Sequence, residues 1–245
     1  MSKKLMSDIR SAGGTVPSAW RLNAGVLSAC VIALVLIADQ ALKIWVKTSF
    51  YLGEDHEILP WFHLKFIENN GMAFGLELWN KYLLTFGRIA AVCLLVWCLT
   101  KIVRRYELRT GFIVAVALIT AGAAGNIFDC VFYGEIFSDP MPPAIAEAFP
   151  VGGGYAGWFE GRVVDMFYFP LFDFYWPEWM PWIGGQYYEF FAYIFNVADA
   201  SICIGVALMI IFYSRDVSLA FASIEERKGR SDGGIEKSDK NNKTD

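Results

Sequence analysis

The sequence has few of the residues from which metal sites and disulfide frameworks are built. Its two histidines, His56 and His63, have a spacing that fits no metal-binding motif. Its five cysteines include no Cys-x-x-Cys pair, and all lie in or at the ends of apolar segments. We therefore expect no metal site and no disulfide framework, and we expect the cysteines to pack as small apolar side chains.

Apolar residues, in contrast, make up 56% of the 245 residues, and the mean hydropathy is +0.39. This composition is too apolar for an ordinary soluble domain of this size and indicates a membrane protein. Four stretches have the ~20 mostly apolar residues that a spanning helix needs, at about 24–46, 82–102, 111–133 and 190–213. The predicted fold class is an all-α membrane protein with four transmembrane helices.

Lysine and arginine are unevenly distributed between these stretches. The N-terminal tail, the short link between the second and third stretches and the start of the C-terminal tail are rich in them, whereas the long connections 47–81 and 134–189 are poor. Basic loops remain on the cytoplasmic side. We therefore expect both termini to be cytoplasmic, with a membrane domain at 23–213 between a tail at 1–22 and a charged, disordered tail at 214–245.

The two outer connections carry different patterns. Alternation of apolar and polar residues around Trp61–Ile67 favours short β-strands in the first connection. The second is broken by proline and glycine and rich in Phe, Tyr and Trp, which favour the membrane–water boundary. We expect a small extracytoplasmic β-cradle and an interfacial aromatic loop.

Two apolar segments contain the same polar pattern. AGAAGNIFDC (121–130) places Asn126 three residues before Asp129, and FNVAD (195–199) places Asn196 three residues before Asp199. Each pair shares one helix face, and both carboxylates fall in the outer half of the membrane. If those faces meet, two carboxylates can share one proton, as in aspartic peptidases.

A third polar pair lies in the first apolar stretch, where Asp39 precedes Lys43 by four residues. The pair is either a structural clasp at the membrane edge or part of the mouth of an active site. Proton- or ion-coupled transport is the alternative function, because carboxylates inside membranes also relay protons and bind ions. Acids clustered in the outer half of the membrane favour the peptidase.

Five sequence blocks together resemble one family, the bacterial lipoprotein signal peptidases, or signal peptidase II. The blocks are DQALK (39–43), NNGMAFG (69–75), AGAAGNIFD (121–129), GRVVDMF (161–167) and FNVADASI (195–202). All five occur in the family's order and on the expected sides of four spans. Each block is weak alone, and the five together are specific.

The resemblance implies an aspartic endopeptidase of the bacterial cytoplasmic membrane that needs no metal or organic cofactor. Its substrates would be precursors that carry diacylglycerol on a cysteine, and it would cut just before that cysteine. The family is inhibited by the cyclic peptide globomycin. We expect membrane lipids and lipoprotein precursors as partners, no nucleic acid, and a monomer.

The resemblance also assigns roles to particular residues. By motif, the catalytic pair falls on Asp129 and Asp199. The remaining residues implied in substrate binding or support are Asp39, Lys43, Asn69, Gly71, Asn126, Arg162, Asp165 and Asn196. Of these, Asp165 matches the acid of a V-x-D-F block and is expected to be structural or supportive.

The chain departs from the family pattern in two places. Many members have arginine directly after the first of these acids, whereas this chain has Cys130. A basic contact to the substrate would then come from elsewhere, for example from Arg162, or be absent. The second outer loop is also longer than the compact family pattern, which bears on loop motion and substrate gating.

Overall fold

Long apolar runs form the helices of this protein. The computed structural model describes residues 18–70, 81–104 and 108–220. Within these ranges, three helical segments are long and apolar enough to cross a membrane. They are α1 (Ser18–Lys47), α2 (Lys81–Ile102) and α3 (Thr110–Phe128), which continues through a π-helical segment (Asp129–Tyr133) and the short α4 (Gly134–Ile136). Helices α5 (Val197–Phe212) and α6 (Ser214–Ala220) meet at a bend of 92° and qualify as a further span only if they are taken together.

The connections between the helices form two antiparallel sheets. The four-stranded sheet has the order β1-β2-β3-β6, and the second is a hairpin of β4 and β5. The strands are β1 (Asp55–Leu59), β2 (Phe62–Asn69), β3 (Val163–Tyr168), β4 (Phe172–Tyr175), β5 (Tyr187–Phe190) and β6 (Ile194–Phe195). A buried cluster that includes Val46, Phe66, Tyr133 and Met166 packs the larger sheet onto the ends of α1 and α3. The prediction of a small sheet is confirmed.

Helix α5 begins later than the apolar pattern suggested. The sequence placed the start of this segment near residue 190, but Phe190 ends β5, and Ile194 and Phe195 form β6. The Asn196 side chain then accepts a hydrogen bond from the backbone N–H of Asp199 at 2.9 Å and caps the helix. Strand pairing and the cap therefore set the boundary, which hydropathy alone does not mark.

Helix α6 begins at Ser214, where the sequence placed the start of the C-terminal tail. The backbone N–H of Arg109 donates to Asp216 Oδ1 at 3.0 Å, and its Nε donates to Asp216 Oδ2 at 2.8 Å. The Arg109 guanidinium lies over the ring of Tyr213, 4.5 Å from its centroid. These contacts attach α6 to the start of α3.

Helix α3 is the central element of the membrane domain. It contacts α1, α2 and α5. Half of the residues in its most apolar 18-residue stretch are buried, against 11% in the corresponding stretches of α1 and α2. Large apolar side chains on α1 and α2 point outward, including Leu34 (70% exposed) and Leu83 (72% exposed). Such surfaces are expected where helices face lipid instead of water.

Close packing of α3 against α5 depends on Gly122, and this can be tested. A Cβ atom at Gly122 would lie 2.2 Å from Ala198 O and 2.8 Å from Ile202 Cγ1. We expect Gly122→Ala to lower the free energy of unfolding by about 1–3 kcal/mol, because the added methyl group forces the helices apart. Thermal unfolding in detergent measures this effect.

Gly87→Ala on α2 is the matched control, because nothing lies within 4 Å of a Cβ atom there. It should unfold at or above the wild-type temperature, since alanine is the better helix former. Equal unfolding temperatures for wild type and Gly122→Ala would contradict the close approach of α3 and α5.

Candidate active site

A buried lysine lies among acidic and amide side chains from α1 and α3. Lys43 has no exposed surface. Its Nζ lies 3.0 Å from Asp39 Oδ2 and 2.7 Å from Asp129 Oδ2, and it donates to Asn126 Oδ1 at 2.9 Å. Asp39 and Lys43, four residues apart on α1, therefore form the predicted ion pair, and Asp129 from the continuation of α3 adds a second carboxylate.

The carboxylate of Asp129 is enclosed by donors. Besides Lys43 on Oδ2, Gln40 Nε2 donates to Oδ1 at 2.9 Å and the backbone N–H of Val164 donates to Oδ2 at 3.3 Å. Asp129 is fully buried. Both of its oxygens thus accept hydrogen bonds from protein groups, and neither faces solvent.

A second group of side chains joins α3, β3 and α5 through two amides. Asn196 Nδ2 donates to Asp165 Oδ1 at 2.6 Å and lies 3.2 Å from Asn126 Oδ1. Asn126 Nδ2 donates in turn to Asp199 Oδ1 at 2.8 Å. Asp165 and Asp199 are therefore the two ends of one hydrogen-bonded chain, and the two asparagines form its middle.

The two carboxyl groups of this chain have different surroundings. Asp165 is 3% exposed, whereas Asp199 is partly exposed. Burial, and next the nearby charge of Asp199, raise the pKa of Asp165 to about 7, although Lys43 and the hydrogen bond from Asn196 oppose the rise. Asp165 is thus a carboxyl group that stays protonated below neutral pH beside an acid that solvent can reach.

The remaining predicted site residues lie elsewhere or outside the described residues. Asn69 ends β2, opposite the first residue of β3. Arg162 Nη1 donates to Glu68 Oε2 at 3.0 Å and to Asp139 Oδ1 at 2.9 Å. Gly71 falls in the range 71–80, which lies outside the described residues.

The sequence reasoning missed three residues of the site. Tyr133 Oη donates to Gln40 Oε1 at 3.0 Å, which orients the amide that binds Asp129. Arg88 Nη1 donates to Cys130 Sγ at 3.2 Å, so α2 supplies the basic group beside this cysteine. Gln40 could have been noticed inside the DQALK block, and Arg88 as a charge within an apolar stretch.

The arrangement is suited to acid–base chemistry. One carboxyl group with a raised pKa and one partly exposed carboxyl group are held at fixed positions by amides, which is the division of roles that proton transfer needs. Within the described ranges, no group of three or more His, Cys, Asp or Glu side chains could hold a metal ion.

Comparison with known proteins gives one consistent result. A family model described as signal peptidase (SPase) II matches residues 31–215. The chain is 49% identical over 199 residues to a lipoprotein signal peptidase of Porphyromonas gingivalis, covering 81% of this chain and 88% of that protein. It is 34% identical over 187 residues to a lipoprotein signal peptidase of Amoebophilus asiaticus, covering 74% and 75%.

Two solved structures of membrane enzymes are also similar to the chain. A bacterial membrane enzyme determined by the in meso method at 2.3 Å resolution matches with a TM-score of 0.53 and 26% identity, covering 78% of this chain and 90% of that one. A second such structure, at 1.9 Å resolution, has a TM-score of 0.51 and 27% identity, covering 76% and 90%.

The raised pKa of Asp165 predicts how stability depends on pH. Between about pH 4 and 7 the unfolded state has released this proton while the folded state keeps it, so the free energy of unfolding falls as pH rises through this window. Asp165→Asn lacks this loss. We expect its unfolding temperature, minus that of the wild type, to increase from pH 4 to 7 and then level off. A difference that does not change with pH would show that Asp165 is not held protonated.

Proposed function

The chain belongs to the signal peptidase II family, and we propose that it cuts diacylglyceryl-modified lipoprotein precursors just before the lipid-bearing cysteine. Membership of this family confirms the prediction of a peptidase and disfavours the alternative of a small proton- or ion-coupled transporter. The observation that carries the proposed mechanism is the pair of carboxyl groups, Asp165 and Asp199, at the ends of the Asn196–Asn126 chain.

We propose Asp165 as the partner of Asp199, in the place that the sequence pattern assigned to Asp129. The negative charge of Asp129 is balanced by Lys43 at 2.7 Å, and its oxygens accept from Gln40 and the Val164 amide. In the described part of the chain, no basic side chain forms an ion pair with Asp165. In this proposal Asp129 has a structural role: it neutralises Lys43 and accepts a hydrogen bond from the backbone of β3.

The proposed reaction uses the two carboxyl groups in complementary protonation states. The Asp199 carboxylate takes a proton from water, whose oxygen attacks the scissile carbonyl carbon, while protonated Asp165 donates a hydrogen bond to the carbonyl oxygen. The C–N bond of the tetrahedral intermediate then breaks as the amide nitrogen takes the proton from Asp199. The water oxygen remains in the new carboxyl group. Because Asp165 must be protonated, the rate falls as pH rises through about 7.

Membrane placement would provide much of the substrate positioning. We propose a monomer in the bacterial cytoplasmic membrane with four spans, the fourth formed by α5 and α6, and with both termini cytoplasmic. The sequence has no lysine or arginine between Arg162 and Arg215, which supports an outer location for β3 to β6 and the start of α5. A diacylglycerol anchor in the outer leaflet would fix the depth of the scissile bond beside Asp199, and such fixed geometry accelerates reactions.

The β4–β5 hairpin supports the proposal of an interfacial aromatic loop. Phe172 pairs with Phe190, with ring centroids 4.6 Å apart, and Phe174 pairs with Tyr188, so one face of the hairpin is aromatic. Two-stranded hairpins are marginal in water unless a face is covered. We propose that the outer-leaflet boundary covers this face, because aromatic rings on both sides of the hairpin continue to the start of α5: Phe169 stacks on Phe195, and Phe191 contacts Phe195 edge-on.

Trp179 and Trp182, in the loop of this hairpin, are 80% and 93% exposed and provide the test. In vesicles of lipids brominated high on the acyl chain, we expect tryptophan quenching to be weaker in a Trp179→Gln, Trp182→Gln double variant than in the wild type. Bromine near the chain end should not distinguish the two proteins. If high-chain bromine quenches both proteins equally, the hairpin does not reach the lipid.

Cleavage of a purified diacylglyceryl-modified precursor in detergent tests the catalytic assignment. We expect Asp165→Asn and Asp199→Asn each to lose about 10²–10⁴-fold in rate, the range for removing an acid or base, without a fall in unfolding temperature. Asp129→Asn should behave differently and lose about 3–5 kcal/mol of stability, because it leaves a buried Lys43 with one fewer carboxylate.

The unfolding temperature of each variant is the control for its rate. Folded and active Asp165→Asn, together with folded and inactive Asp129→Asn, would return the catalytic role to Asp129. A wild type that cuts none of several lipidated precursors would contradict the peptidase function itself.

A further inference from the structure

The first two turns of helix α2, in a mostly apolar sequence, carry a polar stripe. Lys81, Thr85 and Arg88 are spaced by four and three residues, so they share one face of the helix. Thr85 is 2% exposed. Polar side chains inside a membrane span have a cost, and they are retained where they bind something.

All three side chains of the stripe bind one small region of the protein. Lys81 Nζ donates to the carbonyl of Glu160. Thr85 Oγ1 lies 3.1 Å from Phe159 O and 3.0 Å from Lys81 O, so its proton is shared between a second segment and its own helix. Arg88 Nη1 donates to Cys130 Sγ at 3.2 Å. The stripe therefore holds the chain just before β3 against the end of α3.

That chain segment has a strained backbone and little room to move. Phe159 has a φ of 68°, which is unfavourable for a residue with a side chain, and its N–H donates to Val131 O at 3.1 Å. The N–H of Gly161 donates to Cys130 O at 2.9 Å. A Cβ atom at Gly161 would lie 1.9 Å from Asp129 O. The acceptors lie in the π-helical segment.

The fixed segment is close in sequence to the proposed acid. Gly161 precedes Asp165 by four residues, and between them the Val164 N–H binds Asp129 Oδ2 at 3.3 Å. The backbone N–H groups of Phe159, Gly161 and Val164 all donate to residues 129–131, so the whole stretch from Phe159 to Asp165 is held against the π-helical segment. Three charged groups from neighbouring helices face Asp165, namely Asp199, Lys43 and Asp129.

We propose that Thr85 is a positioning residue for Asp165, acting through the Phe159 carbonyl and the start of β3. The inference rests on the proposed function, since it assigns Asp165 to the reaction. Thr85 makes no contact with the substrate in this proposal. Its hydroxyl keeps the strained Phe159 backbone in place, and the backbone keeps Asp165 at its distance from Asp199.

Thr85→Val tests this proposal, because valine keeps the shape of threonine and removes the hydroxyl. With the diacylglyceryl-modified precursor, we expect kcat to fall about tenfold while KM stays within about twofold, since misplacement of a reacting group costs rate. We also expect the alkaline fall in rate to move to lower pH, because Asp165 is less closely held beside Asp199. Thr85→Ser should restore both values.

Thr100→Val on the same helix is the control, because the Thr100 hydroxyl donates to the carbonyl of Trp97 within α2. It should match the wild type. Wild-type kcat and pH profile in Thr85→Val would overturn the proposal, as would equal losses in Thr85→Val and Thr85→Ser. A lower unfolding temperature with an unchanged pH profile would make Thr85 structural only. The activity of the wild type and the inactivity of Asp165→Asn test the proposed function separately.

Discussion

The membrane domain depends on the buried Lys43 and the carboxylates that compensate it. An unpaired charge in this position would cost several kcal/mol, so α3, whose continuation supplies Asp129, must remain beside the Asp39–Lys43 pair of α1. Asp39 in turn accepts a hydrogen bond from the backbone N–H of Ala198 at 2.8 Å, which brings the start of α5 into the same cluster. One lysine thus ties α1, α3 and α5 together at the level of the site.

Because Lys43 pairs with only two of the four acids of the site, the acids fall into two groups. Asp39 and Asp129 are occupied by Lys43, whereas Asp165 and Asp199 are joined only through amides. Amides hold a carboxyl group in place without neutralising its charge, so the second pair keeps the freedom to exchange a proton. The first pair supplies rigidity, and the second is left for the proposed chemistry. In the described part of the protein, no buried side-chain nitrogen or oxygen is left without a hydrogen-bond partner.

The sequence predicted most of the residues that the structure brings together at this site, whereas the proposed pairing of Asp165 with Asp199 comes from the structure. The two N-x-x-D patterns correctly indicated that Asn126 and Asn196 lie near acids, and the spacing of Asp39 and Lys43 indicated their ion pair. The two patterns have the same form, and this favoured Asp129 as the partner of Asp199. A sequence pattern does not show which acid a lysine on another helix will bind. Asp165 received a structural or supporting role from its match to the V-x-D-F block of the family.

Other features depend on tertiary contacts that periodicity does not encode. The start of α5 at Val197 follows from strand pairing and an asparagine cap. The role of Thr85 follows from the carbonyl of Phe159, a residue 74 positions away. Local patterns predicted the apolar helices and the short strands, because the hydrophobic periodicity of a helix or strand is set by residues close together in the sequence.

The most direct test of the proposed acid pair is a structure with a bound lipopeptide that mimics the tetrahedral intermediate. In such a ligand, a carbon bearing a hydroxyl group replaces the scissile amide, and an aspartic site binds that hydroxyl between its two carboxyl groups. We expect the hydroxyl within hydrogen-bond distance of both Asp165 and Asp199, with Asp129 still bound to Lys43. A hydroxyl held by Asp129, with Lys43 displaced, would contradict the assignment.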